Sequence, residues 1–456
     1  MPEKILTATP APFVLHREAS RSDVDAFQKA YPFFKQRIAS LLKEDATKSI
    51  AVAVSGGPDS MALLALTQRY ATEQHLDLHA LIVDHGLRAA SQEEAQQTSQ
   101  WLSDFGIKTH LLDLSLAPIT TGIQEKARQA RYEILSTQCE KLGIHNLLLG
   151  HTQEDQAETL LHRMLKGSGI QGLQGMAEKS FHISSRGYQL TLLRPCLSMP
   201  KNQLRPCWPG PTIQDPSNMD PRFSRVRHRL FLQKEPLETS THLLKTAEKM
   251  TQAWDYIRAE RDNFLDQHLK IHPWHEGELS LTAFRALHPC LQEHVLSWCL
   301  SRFGGLPKRP YTAPHDLLKE LCKEMSTLSI RRKTAHGCFI DIRKDQIHFW
   351  REPRFLRPLS LPPHEEVIWD KRYVIQHEDK EPREITLKVL GEEGWTILKR
   401  KAAFPPMPYS VARGLPSLWH QEQLLWCAFT SYNTLGSPIH MRPTALKTLA
   451  FAPCSR

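Results

Sequence analysis

The chain lacks several features that would decide its class at once. No stretch of its 456 residues approaches the roughly eighteen uninterrupted apolar residues of a membrane-spanning helix, so no membrane partner is expected. Residues 1–24 mix Glu3, Pro10, Pro12 and Glu18 with basic residues and hold no apolar core of a secretory leader. They read as a flexible extension, taken as 1–25, of a cytoplasmic protein. The nine cysteines, at 139, 196, 207, 290, 299, 322, 338, 427 and 454, form no Cys-x-x-Cys pair and have an odd total. That suits neither a disulfide framework nor a zinc or iron–sulfur site, and leaves them as reduced structural thiols. Internal repeats and low-complexity tracts are absent as well.

What is present is an ordinary globular composition, 41% hydrophobic and 23% charged, in a chain long enough for two or three domains. The formal charge of +9 favours a polyanionic partner, or equally a solvated basic face. After a helix expected over 31–44, a β-branched run at 49–54 ends in a Gly-rich turn and a helix follows from Met61. Strands over 78–83, 108–114 and 146–149 then alternate with helices over 91–105, 123–142 and 153–165. Alternation at this spacing predicts an α/β fold with a doubly wound parallel sheet. Residues 166–176 carry Gly167, Gly169, Gly172 and Gly175 and must be a mobile or specially folded loop. An edge strand over 188–193 and a Pro-rich stretch close a catalytic domain at 26–230. A mainly helical domain over 231–365 and a small α+β domain over 366–456 should follow. The last has strands such as 384–389 and no helical repeat until 421–429.

The chemistry-bearing segment is Ser55-Gly56-Gly57-Pro58-Asp59-Ser60. Two glycines between a strand end and a helix start leave bare N–H groups that can wrap an anion, a phosphate cradle for ATP. No Lys follows them in a Walker frame, and their spacing is not that of the dinucleotide fingerprint. The plain alternative is a turn that merely uses Gly and Pro. Asp59 either complements the helix dipole or holds Mg2+ on the phosphates, and the context favours the metal. Val83-Asp84-His85-Gly86-Leu87-Arg88 and Gly150-His151-Thr152-Gln153-Glu154-Asp155 follow other strands at the same sheet edge, where ligands of such sheets bind. His151 and Asp155 stand one helical turn apart, with Glu158 and Thr159 on neighbouring positions. Together they suit a metal, a phosphate or an amino group, or else form an ordinary acidic helix start. Residues 186–229 hold eight Lys or Arg against two Asp, a candidate phosphate track or a solvated loop.

The loop at 55–60 resembles that of the ATP pyrophosphatases, which break ATP between its α- and β-phosphates. Combined with Val83–Arg88, Ala127-Arg128-Gln129-Ala130-Arg131-Tyr132, His151–Thr159, Lys166-Gly-Ser-Gly-Ile-Gln-Gly-Leu173 and Asp215-Pro-Ser-Asn218, in that order, the chain resembles the tRNA(Ile)-lysidine synthase family. The likeness is dense over 48–230 and thinner beyond. The chain departs from the family pattern in two places: the acidic pair of the His-Thr-x-x-Asp motif is Glu154-Asp155, which keeps the charge, and Arg225-Val-Arg-His-Arg229 stands where an Asn and an apolar residue are more usual.

The resemblance implies a two-step reaction. ATP adenylates the C2 oxygen of the wobble cytidine of tRNA(Ile) with a CAU anticodon, releasing pyrophosphate, and the ε-amine of free L-lysine then displaces AMP. It implies catalytic roles for Asp59, His151 and Asp155, ATP contacts from Ser55, Gly56, Gly57, Pro58, Asp59 and Ser60, and Mg2+ held by Asp59 and Asp155. Lysine would be held by Asp155 and Glu158, and tRNA by Arg225, Arg227 and Arg229. A tRNA thiolase would need a cysteine pair, an amidotransferase a glutaminase domain, and an idle RNA-binding module would not need Asp59, Asp155 and the loop glycines.

Overall fold

A computed structural model describes residues 20–43, 47–84, 90–114, 123–184, 187–214, 224–235, 237–304, 313–370, 372–379, 383–401, 404 and 407–443. The described residues up to Trp254 form one compact unit and those from Asp255 a second.

The first unit begins with α1 (Arg21–Leu42), which starts ten residues ahead of the expected helix because Ser20 and Asp23 close a capping box on it. Then come β1 (Ser49–Val54), α2 (Pro58–Gln74), β2 (Asp77–Asp84), α3 (Ala90–Asp104), β3 (Lys108–Asp113), α4 (Ile123–Leu142), β4 (Asn146–Leu149) and α5 (Gln153–Leu165). A short α6 (Ile170–Leu173), β5 (Lys179–Ile183), β6 (Gln189–Leu193), a short α7 (Lys201–Leu204), α8 (Ser224–Lys234) and the part of α9 (Leu237–His268) up to Trp254 complete the series. The sheet order is β3-β2-β1-β4-β6-β5, parallel except for β5 against β6. The doubly wound parallel sheet is therefore present.

Its central strands are apolar because both faces are covered. Along β1, Ile50, Val52 and Val54 join the core built with α1 and α2, while Ala51 and Ala53 turn to the opposite core with Leu135, Leu147 and Leu149. The strand over 188–193 is not at the edge, as expected, but lies between β4 and β5. The edge is β5, whose residues are all half-buried and whose sequence, Lys-Ser-Phe-His-Ile, carries little apolar signal.

In the second unit a five-stranded antiparallel sheet runs Leu269–Ile271, Gly277–Ser280, Gln346–Arg351, Cys338–Arg343 and Arg332–Ala335 in spatial order. The helices Pro289–Phe303 and His315–Thr327 share its core through Val295, Leu296, Leu300, Leu321 and Met325. Four-stranded and three-stranded antiparallel sheets follow. Here the helix expected over 421–429 is a strand, Gln423–Cys427, paired with Pro416–His420 through a tight turn in which Gln421 has φ 52°. The longer of two described helices in this region lies instead at Gly391–Lys401, with Glu392 and Glu393 in its first turn and Lys399, Arg400 and Lys401 in its last, as the helix dipole favours, and the other is a single turn at Tyr409–Ala412.

Among the described residues every cysteine is free, and all but Cys290 are buried. Burial pushes the Cys139, Cys207 and Cys322 thiols up to about 12, so they stay protonated and inert. No described helix is long and apolar enough to cross a membrane.

Leu64 on α2 is fully buried in the first core. Leu64→Ala should lower stability by about 2–5 kcal/mol, read as a shift of the urea midpoint without a change in strand content.

Candidate functional site

After β3 the chain returns to the far side of β1, so β1 and β4 lie side by side with their connections leaving in opposite directions. A crevice opens at their C-terminal ends, where such sheets bind ligands. The segments at 55–60 and 150–155 meet there. Their approach is close: a Cβ on Gly150 would stand 3.1 Å from Ser60 Cα and 3.2 Å from Asp59 O.

The first loop is braced from inside and outside. Ser60 Oγ donates to Gly57 O at 2.9 Å and lies 3.2 Å from both Ser55 N and Ser55 Oγ. Gly56 has φ +75°, and a Cβ there would meet Thr98 Oγ1 at 2.5 Å. Its carbonyl accepts the Ile213 N–H at 2.8 Å. Pro58 occupies the first turn of α2 after Gly57, leaving that helix N-terminus and Asp59 at the crevice.

Across the crevice Asp155 divides its two oxygens. One accepts from Thr152 N at 2.9 Å and Thr152 Oγ1 at 3.0 Å, capping α5. The other takes Lys201 Nζ at 3.0 Å. The same ammonium lies 3.8 Å from Asp59, which Arg205 also holds through Nε at 2.7 Å and Nη2 at 3.4 Å. Burial by itself would raise the Asp155 pKa, but Lys201 above all, with the Thr152 N–H and His151, outweighs it and keeps the carboxyl below its ordinary value. Glu154 accepts the Lys201 backbone N–H at 2.9 and 3.1 Å. Glu158, 5% exposed, pairs with Arg229 through Nε at 2.6 Å and Nη2 at 3.2 Å.

His151 follows β4. Its Nδ1 is buried without a hydrogen-bond partner, and burial, reinforced by Arg194, holds its imidazole well below the ordinary value, hence neutral at pH 7. Arg194 is itself 5% exposed and donates to Ala177 O and Ser180 Oγ at 2.8 and 2.9 Å.

The glycine-rich segment is a folded structure rather than a loose loop. From α5, Arg163 Nη1 donates to Gly172 O at 2.7 Å and Gly175 O at 2.6 Å. Gln156 both donates to Met176 O at 3.0 Å and accepts Met176 N–H at 2.7 Å. Gly167 and Gly175 adopt φ of 68° and 79°, which a side chain would strain.

Of the residues anticipated for the site, Ser55, Gly56, Gly57, Pro58, Asp59, Ser60, His151, Asp155 and Glu158 fall on the segments that meet at this sheet edge. Arg229 reaches the same place through Glu158, while Arg227 is exposed. The Arg225 side chain, residues 85–89 and residues 215–223 lie outside the described ones. Lys201, Arg205, Arg163 and Gln156 were not singled out. The first two belong to the basic stretch at 186–229, whose composition signals cations without showing that they face carboxylates.

The PP-loop domain family matches residues 30–235. The chain is 25% identical over 377 residues to the tRNA(Ile)-lysidine synthase of Rickettsia bellii (strain OSU 85-389), covering 81% of this chain and 85% of the relative. To that of Orientia tsutsugamushi (strain Boryong) it is 27% identical over 365 residues, 77% of this chain and 80% of the relative. The likeness rises to 41% over 188 residues, 40% of this chain and 51% of the relative, for the enzyme of Bradyrhizobium sp. (strain BTAi1). Over most of its length, then, the chain is similar to tRNA(Ile)-lysidine synthases, and its first unit carries a PP-loop domain. That likeness and the PP-loop domain mark it as an ATP-using ligase.

Arg163 on α5 is the chief tie of the glycine-rich segment. Arg163→Ala should speed amide exchange over 172–176 by about tenfold or more, with β1 and β4 protected as before. Unaltered exchange would show that the segment holds its shape without α5.

Proposed function

We propose that this ligase adenylates the wobble cytidine of tRNA(Ile) with a CAU anticodon at C2 and joins L-lysine there. The observation that carries the reading is the convergence of Asp59 and Asp155, from two different strand ends, on a single ammonium beside the Gly56–Gly57 turn. Pairs of carboxylates beside a phosphate cradle suit Mg2+, a hard ion that takes one or two carboxylates and completes its shell with phosphate oxygens and water. Mg2+ would supply charge stabilisation for the departing pyrophosphate.

The chain's own residues divide the remaining work. The N–H groups at Gly56 and Gly57 and the N-terminus of α2 receive phosphate oxygens. Asp155 and Glu158 offer carboxylates to the ammonium of free lysine. His151, neutral and with Nδ1 unpartnered, offers a hydrogen-bond acceptor for the attacking amine rather than a strong base, since burial weakens its hold on a proton. Arg225 and Arg227 remain the candidates for RNA phosphates. Arg229 acts through Glu158, so its loss should disturb the crevice more than tRNA affinity.

The test incubates enzyme, ATP, Mg2+ and the CAU-anticodon tRNA with each labelled amino acid. Only lysine should enter the RNA; incorporation of a neutral or acidic amino acid, or of sulfur, would overturn the reading. In the same assay Asp59→Asn should slow pyrophosphate release on the order of a hundredfold. Arg225→Gln with Arg227→Gln should reduce the slope of log affinity for tRNA against log salt by about 0.7 to 0.9 for each lost phosphate contact, with ATP affinity unchanged. An unchanged slope would remove both from the RNA-binding face.

A further inference from the structure

We infer that Lys201 is a built-in counter-ion of the metal site, holding the place between Asp59 and Asp155 until a metal–nucleotide complex displaces it. The inference rests on the proposed function for the identity of that complex. Its geometry stands by itself. Lys201 Nζ is 3.0 Å from Asp155 and 3.8 Å from Asp59, and its side chain is 15% exposed. It thus compensates Asp155 and stands between two carboxylates from different strand ends, the second of which, Asp59, is paired with Arg205 as well.

The anchoring of Lys201 suits displacement. Its backbone N–H is fixed to Glu154 at 2.9 Å, at the start of α5, and Pro200 precedes it at the head of α7. The main chain is held while the flexible four-carbon stem is free to turn, so the ammonium can leave the carboxylates without unfolding α7. Asp59 keeps Arg205 and Asp155 keeps Thr152 when the ammonium departs, so both carboxylates stay positioned.

Two consequences follow from charge. A divalent cation alone must compete with an ammonium already in place, so metal affinity without nucleotide is suppressed. A metal–triphosphate complex brings its own acceptors for the released ammonium, so metal and nucleotide enter together and Lys201 passes from carboxylate to phosphate. Lys201 is in this sense a positioning residue for the adenylation step.

The experiment titrates the full chain with Mn2+, first without nucleotide, following free ion by electron paramagnetic resonance. Lys201→Gln should bind Mn2+ about tenfold more tightly than wild type, whereas Lys201→Arg, which keeps the charge, should stay close to wild type. With Mg2+ and the α,β-methylene analogue of ATP, Lys201→Gln should bind the nucleotide about tenfold more weakly. Lys201→Met, which keeps the apolar stem, replaces the glutamine variant if that one does not fold. Mn2+ affinity unchanged or reduced in the neutral variants overturns the counter-ion role. So does a gain that persists when Asp59→Asn or Asp155→Asn is added, since the ion then binds elsewhere. The lysine-incorporation assay on wild type reads the functional proposal separately. Its failure beside an intact Mn2+ gain would sink the substrate assignment and leave the counter-ion standing.

Discussion

Everything at the candidate site depends on β1 and β4 being neighbours in the sheet while distant in sequence. That adjacency, set by the chain crossing from β3 back over β1, brings 55–60 against 150–155 at one sheet edge. It requires backbone contact so tight that Gly150 can carry no side chain without pushing on Asp59 and Ser60. Apolar burial on both faces of β1 and β4 fixes the strands, and the rigidity of that core is what makes a crevice between two loops a defined place.

Charge is arranged around that crevice in pairs. Asp59 has Arg205, Asp155 has Lys201, and Glu158 has Arg229. All three cations come from 201–229, after the last strand, so the C-terminal part of the first unit supplies the opposite charge to the loops at the sheet edge. Each pair is partly shielded from water, where an uncompensated carboxylate would be costly. A ligand of mixed charge, an anionic phosphate chain with its cation, can replace these pairs term by term. A neutral ligand of the same size could not.

The parts of this arrangement that are local in sequence were legible there. The short apolar runs at 49–54 and 146–149, the turn glycines at 56 and 57, and the acidic start of α5 give the sheet, the cradle and two of the carboxylates. Long-range partners were not. Nothing in Pro200-Lys201-Asn-Gln-Leu-Arg205 states which carboxylates lie across the sheet, and a cation count cannot separate a residue facing RNA from one facing Asp59. The same limit explains the misplaced elements near the C-terminus. Gln421–Phe429 has apolar residues that fit either period, and only the hairpin partner at Pro416–His420 decides for strand. Ser20 and Asp23 carry the cap that extends α1, a signal of two residues that a search for apolar periodicity passes over.

The division of labour within the Asp155 carboxylate has a bearing on which sequences can drift. One oxygen fastens the first turn of α5 through Thr152, and the other faces the crevice. A replacement that keeps the acceptor for the helix but not the charge, or the reverse, still damages one of the two. Selection for folding and selection for chemistry therefore act on the same atoms there. Residue 155 is thereby barred from neutral wandering on two counts, whereas Glu154, whose carboxylate accepts the Lys201 main-chain N–H, is indifferent to which side chain stands at 201.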